Sequence, residues 1–139
     1  MLNGKTAVVT GASRGIGKAI AEEMELQGHR VFAVARNEEL LKSFANYFVC
    51  DIAENPQKLG DYIEANKIDV LINNAGEYIY SPIENVNYSQ IEHITKTNLE
   101  APLYLISRAV PFMKSQKWGR IINIGSISGV MGEANASLY

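Results

Sequence analysis

A glycine-rich turn between an apolar run and a helical segment is the feature that most constrains how this chain can fold. The run at residues 5–10 is short and rich in valine, and the string TGASRGIGK follows at residues 10–18. Glycines at 11, 15 and 17 permit a tight turn, a close backbone approach and close packing of the helix on the strand. Unpaired N–H groups at the start of a helix favour an anion, so the context predicts a phosphate-binding loop rather than a turn without a ligand.

Short apolar runs that alternate with helical segments predict an α/β fold. The predicted strands are residues 5–10, 30–35, 46–50, 69–73 and 119–125, and the predicted helices are 15–28, 38–45, 56–66 and 88–115. Gly28 is typical of a helix C-terminus and Asn87 of an N-cap. Continuously apolar strands are covered on both faces, so we expect one domain over residues 1–139 with a doubly wound parallel sheet of strand order 3-2-1-4-5.

Composition and charge exclude several classes of function. A net charge of −2 offers no field for polyanions, so neither nucleic acid nor an acidic membrane surface is expected as a partner. The single Cys50 gives no sign of an oxidising compartment, and His29 and His93 have no further ligands at metal spacing, so no metal site is predicted. The N-terminus shows neither a leader nor a membrane span, and we expect a cytoplasmic location.

Two motifs resemble those of the short-chain dehydrogenase/reductase family. The spacing Gly-x-x-x-Gly-x-Gly at residues 11–17 is similar to the family's coenzyme loop, and Asn73-Asn74-Ala75-Gly76 is similar to the motif after its fourth strand. A nucleotide triphosphatase loop is excluded by the residues around Lys18, and the extended epimerase branch expects a different glycine spacing. The resemblance implies a Rossmann fold that binds NAD or NADP through Gly11, Ser13, Arg14, Gly15, Ile16, Gly17, Arg36, Asp51, Ile52, Asn74, Ala75 and Gly76.

The choice of coenzyme depends on the end of the second predicted strand. An acidic residue there would bind the ribose 2′-hydroxyl of NAD, but this chain has Arg36. A guanidinium suits a 2′-phosphate, and Arg14 lies in the loop that approaches the same group, so we predict NADP over NAD. Asp51 has two interpretations of equal weight from sequence: the family's contact with the adenine amino group, or turn chemistry before Asn55.

Three residues match the family's catalytic positions. By itself, Asn98 on an apolar helical stripe favours a satisfied core amide or a kink, whereas the resemblance implies that it holds a water in a proton relay. Ser126 and Tyr139 are thirteen residues apart, as in the family's pair. The resemblance implies that the serine polarises a substrate carbonyl and the tyrosine delivers a proton, while Asn73 is expected to be structural.

The resemblance also implies a lysine four residues after Tyr139, at a position that the 139 residues do not reach. We therefore interpret the chain as the N-terminal, coenzyme-binding part of an oxidoreductase acting on a small carbonyl or alcohol, C-terminally truncated and inactive alone. Its strings are similar to those of 3-oxoacyl-carrier-protein reductases. The full-length parent is expected to be a homo-oligomer, and the fifth strand of the fragment to be an uncovered edge. The alternative is a non-catalytic coenzyme sensor or interaction module.

Overall fold

A parallel five-stranded sheet forms the centre of the computed structural model, which describes residues 4–139. Its strands are β1 (Thr6–Thr10), β2 (Arg30–Ala35), β3 (Tyr47–Val49), β4 (Val70–Asn73) and β5 (Arg120–Asn123). All four neighbouring pairs are parallel, and their order is β3-β2-β1-β4-β5. The predicted fold class and strand order are therefore confirmed, with each strand within two residues of its expected bounds.

The helices connect successive strands on both faces of this sheet. They are α1 (Gly15–Leu26), α2 (Pro56–Asn66), α3 (Tyr88–Thr95) and α4 (Ala101–Ser115). Gly28, two residues beyond α1, has φ +81°, which is the left-handed conformation expected after a helix C-terminus. Asn87 caps α3 in a reciprocal capping box with Gln90, as its position predicted.

The helix predicted over residues 38–45 is wrong, because this segment forms isolated turns. Asn37 Oδ1 accepts a hydrogen bond from the amide of Glu39, and single i to i+3 backbone bonds follow at Leu41 and Phe44. An asparagine side chain that bonds its own backbone two residues on favours a turn over a helix. Leu41 and Phe44 are nevertheless buried, so the apolar spacing that suggested a helix serves the core instead.

Alternate residues of the inner strands supply two separate apolar cores. Val8, Phe32, Val34 and Leu71 point to the face covered by α2 and α4. Their neighbours in sequence, Ala7, Val9, Val31, Ala33, Val70 and Ile72, point to the face covered by α1 and the turns after β2. This two-sided burial explains why β1, β2 and β4 are apolar throughout rather than alternating.

The predicted long helix at 88–115 is interrupted by one wider turn. Between α3 and α4, residues Lys96–Glu100 form a π-helical segment, and Asn98 lies at its centre. Such turns are rare and occur frequently at functional sites. The interruption therefore coincides with the polar residue that is out of place on the apolar stripe.

A polar cluster closes the end of the sheet where the strands begin. Asp69 is buried and accepts hydrogen bonds from the Thr6 amide at 2.9 Å, from Gln116 Nε2 at 2.8 Å and from Lys5 Nζ at 3.4 Å. Lys5 also lies over the ring of Trp118, 4.3 Å from its centroid. The cluster ties β1 and β4 to the segment after α4.

The outer strand β5 is uncovered in the described part of the chain. Ile122 pairs with Ile72 of β4 yet remains 45% exposed, and Ile124 is 37% exposed. This is the apolar sheet edge that the sequence predicted. Among the described helices, none is long and apolar enough to cross a membrane.

Candidate functional site

The glycine loop passes against the chain that leaves β4. Gly11 has φ +68°, and a Cβ there would lie 2.8 Å from Asn74 Nδ2 and 2.9 Å from the Ala75 Cα. A Cβ on the buried Gly17 would collide with the Gly11 carbonyl oxygen. Both contacts exclude a larger side chain, because backbone atoms cannot move aside as a flexible side chain would. The first and third glycines are thus required by packing.

Thr10 and Asn74 join the ends of β1 and β4. The Thr10 hydroxyl accepts hydrogen bonds from the amides of Asn74 and Ala75, both at 3.0 Å. In return, Asn74 Nδ2 donates to the carbonyls of Thr10 at 3.0 Å and Gly11 at 3.3 Å. These four bonds hold the loop on the sheet, so Asn74 has a structural role beside the coenzyme contact that the sequence predicted.

The start of α1 leaves its first backbone amides open to a ligand. Its N-cap residue, Arg14, is extended and makes no side-chain capping bond. Gly15 has φ +55°, and nothing lies within 4 Å of where its Cβ would be. The first amides of any helix have no partner inside the helix. Together with the helix dipole, they form a site that suits a phosphate group.

A cavity of about 640 Å³ opens in front of this helix start. It is lined by eleven of the twelve residues predicted to bind a coenzyme: Gly11, Ser13, Arg14, Gly15, Ile16, Arg36, Asp51, Ile52, Asn74, Ala75 and Gly76. The twelfth, Gly17, lies buried beneath the loop rather than in the cavity wall. The structure therefore brings together residues that follow β1, β2, β3 and β4, at the carboxyl ends where doubly wound folds bind ligands.

A second cavity of about 580 Å³ continues from the first. The two share Ile16, Asn74, Ala75, Gly76 and Glu77 in their walls. The three predicted catalytic residues, Asn98, Ser126 and Tyr139, all line this second cavity. The predicted coenzyme and catalytic residues thus border one continuous groove.

The side chain of Asn98 bonds the backbone of Glu77 through both of its polar atoms. Its Oδ1 accepts from the Glu77 amide at 2.8 Å, and its Nδ2 donates to the Glu77 carbonyl at 2.9 Å. These contacts agree with the satisfied amide and kink that its sequence position favoured. Its role in a proton relay stays a prediction.

Ser126 and Tyr139 stand on the far wall of the second cavity. Ser126 caps a short 3-10 turn, Ile127–Gly129, and its Oγ accepts from the Ser128 amide at 3.2 Å, which leaves its proton available for another acceptor. The Tyr139 ring packs edge-on against Tyr78, with centroids 4.8 Å apart. Burial, and then a hydrogen bond to Glu133, raise the pKa of Tyr78 above its ordinary value.

Arg36 lies between two carboxylates at the other end of the groove. Its Nη2 is 3.1 Å from Glu77 Oε1, and its Nη1 is 3.8 Å from Asp51 Oδ2. Asp51 Oδ1 also accepts from the Ala53 amide at 2.9 Å, which is the turn chemistry that the sequence offered as one interpretation. The adenine contact of Asp51 stays a prediction. Glu77 was not predicted from the sequence as a site residue; the only feature that could have indicated it is its charge directly after Gly76.

Asn73 has the structural contact expected of it. It is buried at the end of β4 and donates from Nδ2 to Asn123 Oδ1 of β5 at 2.8 Å. The bond links the last two strands where they enter the second cavity. Among the described residues, no group of three or more histidine, cysteine or acidic side chains is placed to hold a metal ion.

The fold and the glycine loop together define a Rossmann-type α/β protein. A family model described as short chain dehydrogenase matches residues 5–139. The chain therefore belongs to the short-chain dehydrogenase family, an enzyme family of oxidoreductases.

Relatives and solved structures agree with this membership. A tropinone reductase homolog from Arabidopsis thaliana is 33% identical over 99% of this chain and 58% of its own length. An uncharacterized oxidoreductase from Staphylococcus aureus is 32% identical over 100% of this chain and 65% of its own length. The chain thus spans about three fifths of the curated relatives it matches.

Solved structures with bound NADP are among the proteins similar to this chain. A metagenomic short-chain oxidoreductase in complex with NADP is 34% identical, with a TM-score of 0.91 over 99% of this chain and 69% of that chain. A 3-oxoacyl (acyl-carrier-protein) reductase from Agrobacterium tumefaciens with NADP bound is 29% identical, with a TM-score of 0.89 over 99% and 58%. These likenesses support the use of NAD or NADP by the family to which this chain belongs.

Proposed function

We propose that the chain binds NADP(H) along its continuous groove and is the coenzyme-binding part of an oxidoreductase that interconverts a carbonyl and an alcohol. The observation that carries the proposal is the position of the open helix start. Ile16, in the first turn of α1, lines both cavities, so an anion on these amides lies at their junction. A dinucleotide has its pyrophosphate in the middle, with adenosine on one side and nicotinamide on the other.

The residues of the groove fit such a molecule. The first-turn amides around Gly15 hold the pyrophosphate, and Gly11 and Gly17 allow the loop to lie close beneath it. At the adenosine end, Arg14 and Arg36 are the cations that would meet a 2′-phosphate, and Asp51 with Ile52 border the space for the adenine. Asn74, Ala75 and Gly76 border the passage between the two ends.

The second cavity provides groups for carbonyl chemistry. A bound nicotinamide supplies or accepts the hydride there. Ser126 donates a hydrogen bond from its hydroxyl to the substrate carbonyl oxygen and polarises the carbonyl. The Ser128 amide, which donates to Ser126 Oγ, fixes the orientation of that hydroxyl. Tyr139 supplies the proton that the oxygen gains, and Asn98, fixed on the Glu77 backbone, orients the water through which that proton is replaced.

We propose further that the 139-residue chain binds coenzyme with little or no turnover. A phenol with a pKa near 10 is a poor proton donor and acceptor at neutral pH without a neighbouring cation. The lysine that the family resemblance implies lies outside the 139 residues, and loss of one acid–base element costs roughly 10²–10⁴ in rate. The substrate class and a homo-oligomeric parent also belong to this proposal.

The experiment is a titration of the chain with NADPH and NADH, followed by nicotinamide fluorescence. We expect saturable binding of NADPH that is tighter than binding of NADH, and no carbonyl-dependent oxidation of the bound coenzyme. The decisive variants are Gly15→Asp and Gly15→Asn. Both side chains tolerate the positive φ of Gly15, and space is open there, but only the aspartate places a negative charge on the amides.

Gly15→Asp is therefore expected to weaken binding of both coenzymes at least tenfold more than Gly15→Asn does. Equal binding by the two variants would show that the helix start does not hold the pyrophosphate. Measurable turnover by the 139-residue chain would instead contradict the inactivity alone.

A further inference from the structure

The guanidinium of Arg36 is already paired in the structure, with carboxylates from two other strand ends. Arg36 follows β2, Asp51 follows β3 and Glu77 follows β4, and all three line the larger cavity. The shorter ion pair joins Arg36 Nη2 to Glu77 Oε1 at 3.1 Å, against 3.8 Å from Nη1 to Asp51 Oδ2. The Arg36–Glu77 pair therefore crosses the adenosine end of the groove above the end of β1.

The charges that line this cavity cancel. Arg14 and Arg36 are its cations, and Asp51 and Glu77 are its anions, so its walls carry no net charge. A 2′-phosphate brings about two negative charges into this space. It gains the full attraction of Arg36 only if the guanidinium exchanges a carboxylate partner for the phosphate.

The backbone of Glu77 is fixed, which keeps its carboxylate within reach of Arg36. Asn98 bonds both its amide and its carbonyl, so the carboxylate can change its direction only through side-chain rotation. His93 Nε2 lies 3.8 Å from the same Oε1, on the side of α3. Asp51 Oδ2 lies farther from the guanidinium, at 3.8 Å, and the other oxygen of Asp51 accepts from the Ala53 amide. Glu77 is thus the closer competitor for Arg36.

We propose that Glu77 is a specificity-determining residue that lowers the preference for NADP(H) over NAD(H) by competing with the 2′-phosphate for Arg36. The inference rests on the proposed binding of a dinucleotide in this groove. A ribose with a free 2′-hydroxyl carries no phosphate that must displace the carboxylate, and a hydroxyl can donate to it. Removing the charge of Glu77 therefore favours one coenzyme selectively.

The test compares Glu77→Gln with Glu84→Gln in titrations with NADPH and NADH. Glutamine keeps the backbone that Asn98 binds, and Glu84 is an exposed residue of the 3-10 turn Ile83–Asn85, so both variants lose one negative charge. We expect Glu77→Gln to tighten NADPH binding roughly 3- to 10-fold and to change NADH binding less than about 2-fold. Glu84→Gln should leave both affinities within about 2-fold.

A second background separates a charge effect from a structural one. In Arg36→Met, which keeps an unbranched side chain without charge, Glu77→Gln should no longer tighten NADPH binding selectively. In the protein that keeps Arg36, the increase in NADPH affinity caused by Glu77→Gln should also become smaller as salt is raised, because exposed charges are screened.

The outcomes distinguish this inference from the function on which it rests. If neither coenzyme binds to the wild type or to any variant, both are overturned. If both coenzymes bind and the NADPH to NADH ratio is the same in wild type and Glu77→Gln, only the role of Glu77 is overturned. A selective gain that persists in Arg36→Met would overturn it as well.

Discussion

At the scale of single residues, the Thr10 hydroxyl joins the glycine loop to the chain that leaves β4. It accepts from two consecutive amides, those of Asn74 and Ala75, in a position that is 1% exposed. One buried oxygen therefore satisfies two backbone donors. The loop that is proposed to hold the pyrophosphate rests on this atom.

Replacing Thr10 with valine tests this contact. The shape of the side chain is kept but both amides lose their acceptor, so the free energy of unfolding should fall by about 1–3 kcal/mol. Urea denaturation followed by circular dichroism measures the change. Thr10→Ser restores the oxygen and should recover most of the loss; a serine variant as unstable as the valine variant would point to packing instead.

Prediction from sequence succeeded for residues whose role depends on neighbours in the chain. The loop glycines, the cap at Asn87 and the kink at Asn98 all follow from local strings. The Arg36–Glu77 pair does not, because β1 lies between β2 and β4, the strands that precede these two residues. Two long side chains meet above an intervening strand only when the twist and length of all three strands bring them into reach.

At the scale of secondary-structure elements, Asp69 links strands and helix at the opposite end of the sheet. Burial favours the protonated form of its carboxyl, but hydrogen bonds from Thr6, Gln116 and Lys5 outweigh this effect and lower its pKa below the ordinary value. A lowered pKa in the folded state means that the contact stabilises the fold above the unfolded-state pKa of about 3.9.

We therefore expect this stabilisation to be lost as the pH falls through the lowered pKa of Asp69. In Asp69→Asn the free energy of unfolding should be smaller at neutral pH and should fall less steeply below about pH 4 than in the wild type. Urea denaturation at a series of pH values measures both slopes. Parallel curves for the two proteins would show that another carboxyl causes the acid sensitivity.

The one element that the sequence predicted wrongly shows the limit of apolar spacing. Leu41 and Phe44 are three residues apart and are buried as a helix would bury them, whereas Leu40 is exposed. Asn37 decides against the helix by bonding the amide of Glu39. Apolar spacing indicates which side chains are buried, but it does not determine the backbone conformation, because turns can bury the same side chains as a helix.

At the scale of the whole molecule, the sheet ends in two outer strands, β3 and β5. Ile122 and Ile124 of the β5 region present apolar surface beside unpaired backbone groups of the outer strand. Such an edge can pair with another chain.

Self-association through this edge is expected to respond to charge. Ile122→Lys adds a cation on β5 outside both cavities and should lower the sedimentation coefficient of the associated species toward that of the monomer. Leu26→Lys adds the same charge at the far end of α1, where the side chain is 81% exposed, and should leave association unchanged. Equal effects of the two variants would implicate net charge rather than the edge.

The single tryptophan of the chain lies at the base of the sheet, away from the groove. Gln116 Nε2 donates both to Asp69 and to the carbonyl of Trp118, and Lys5 covers the indole ring. The intrinsic emission of the protein therefore reports the integrity of one end of the strands, whereas nicotinamide emission reports the other. Because reduced nicotinamide absorbs light where tryptophan emits, the informative ligand is the oxidised coenzyme: a change in Trp118 emission on its binding would reveal communication along the full length of β1 and β4.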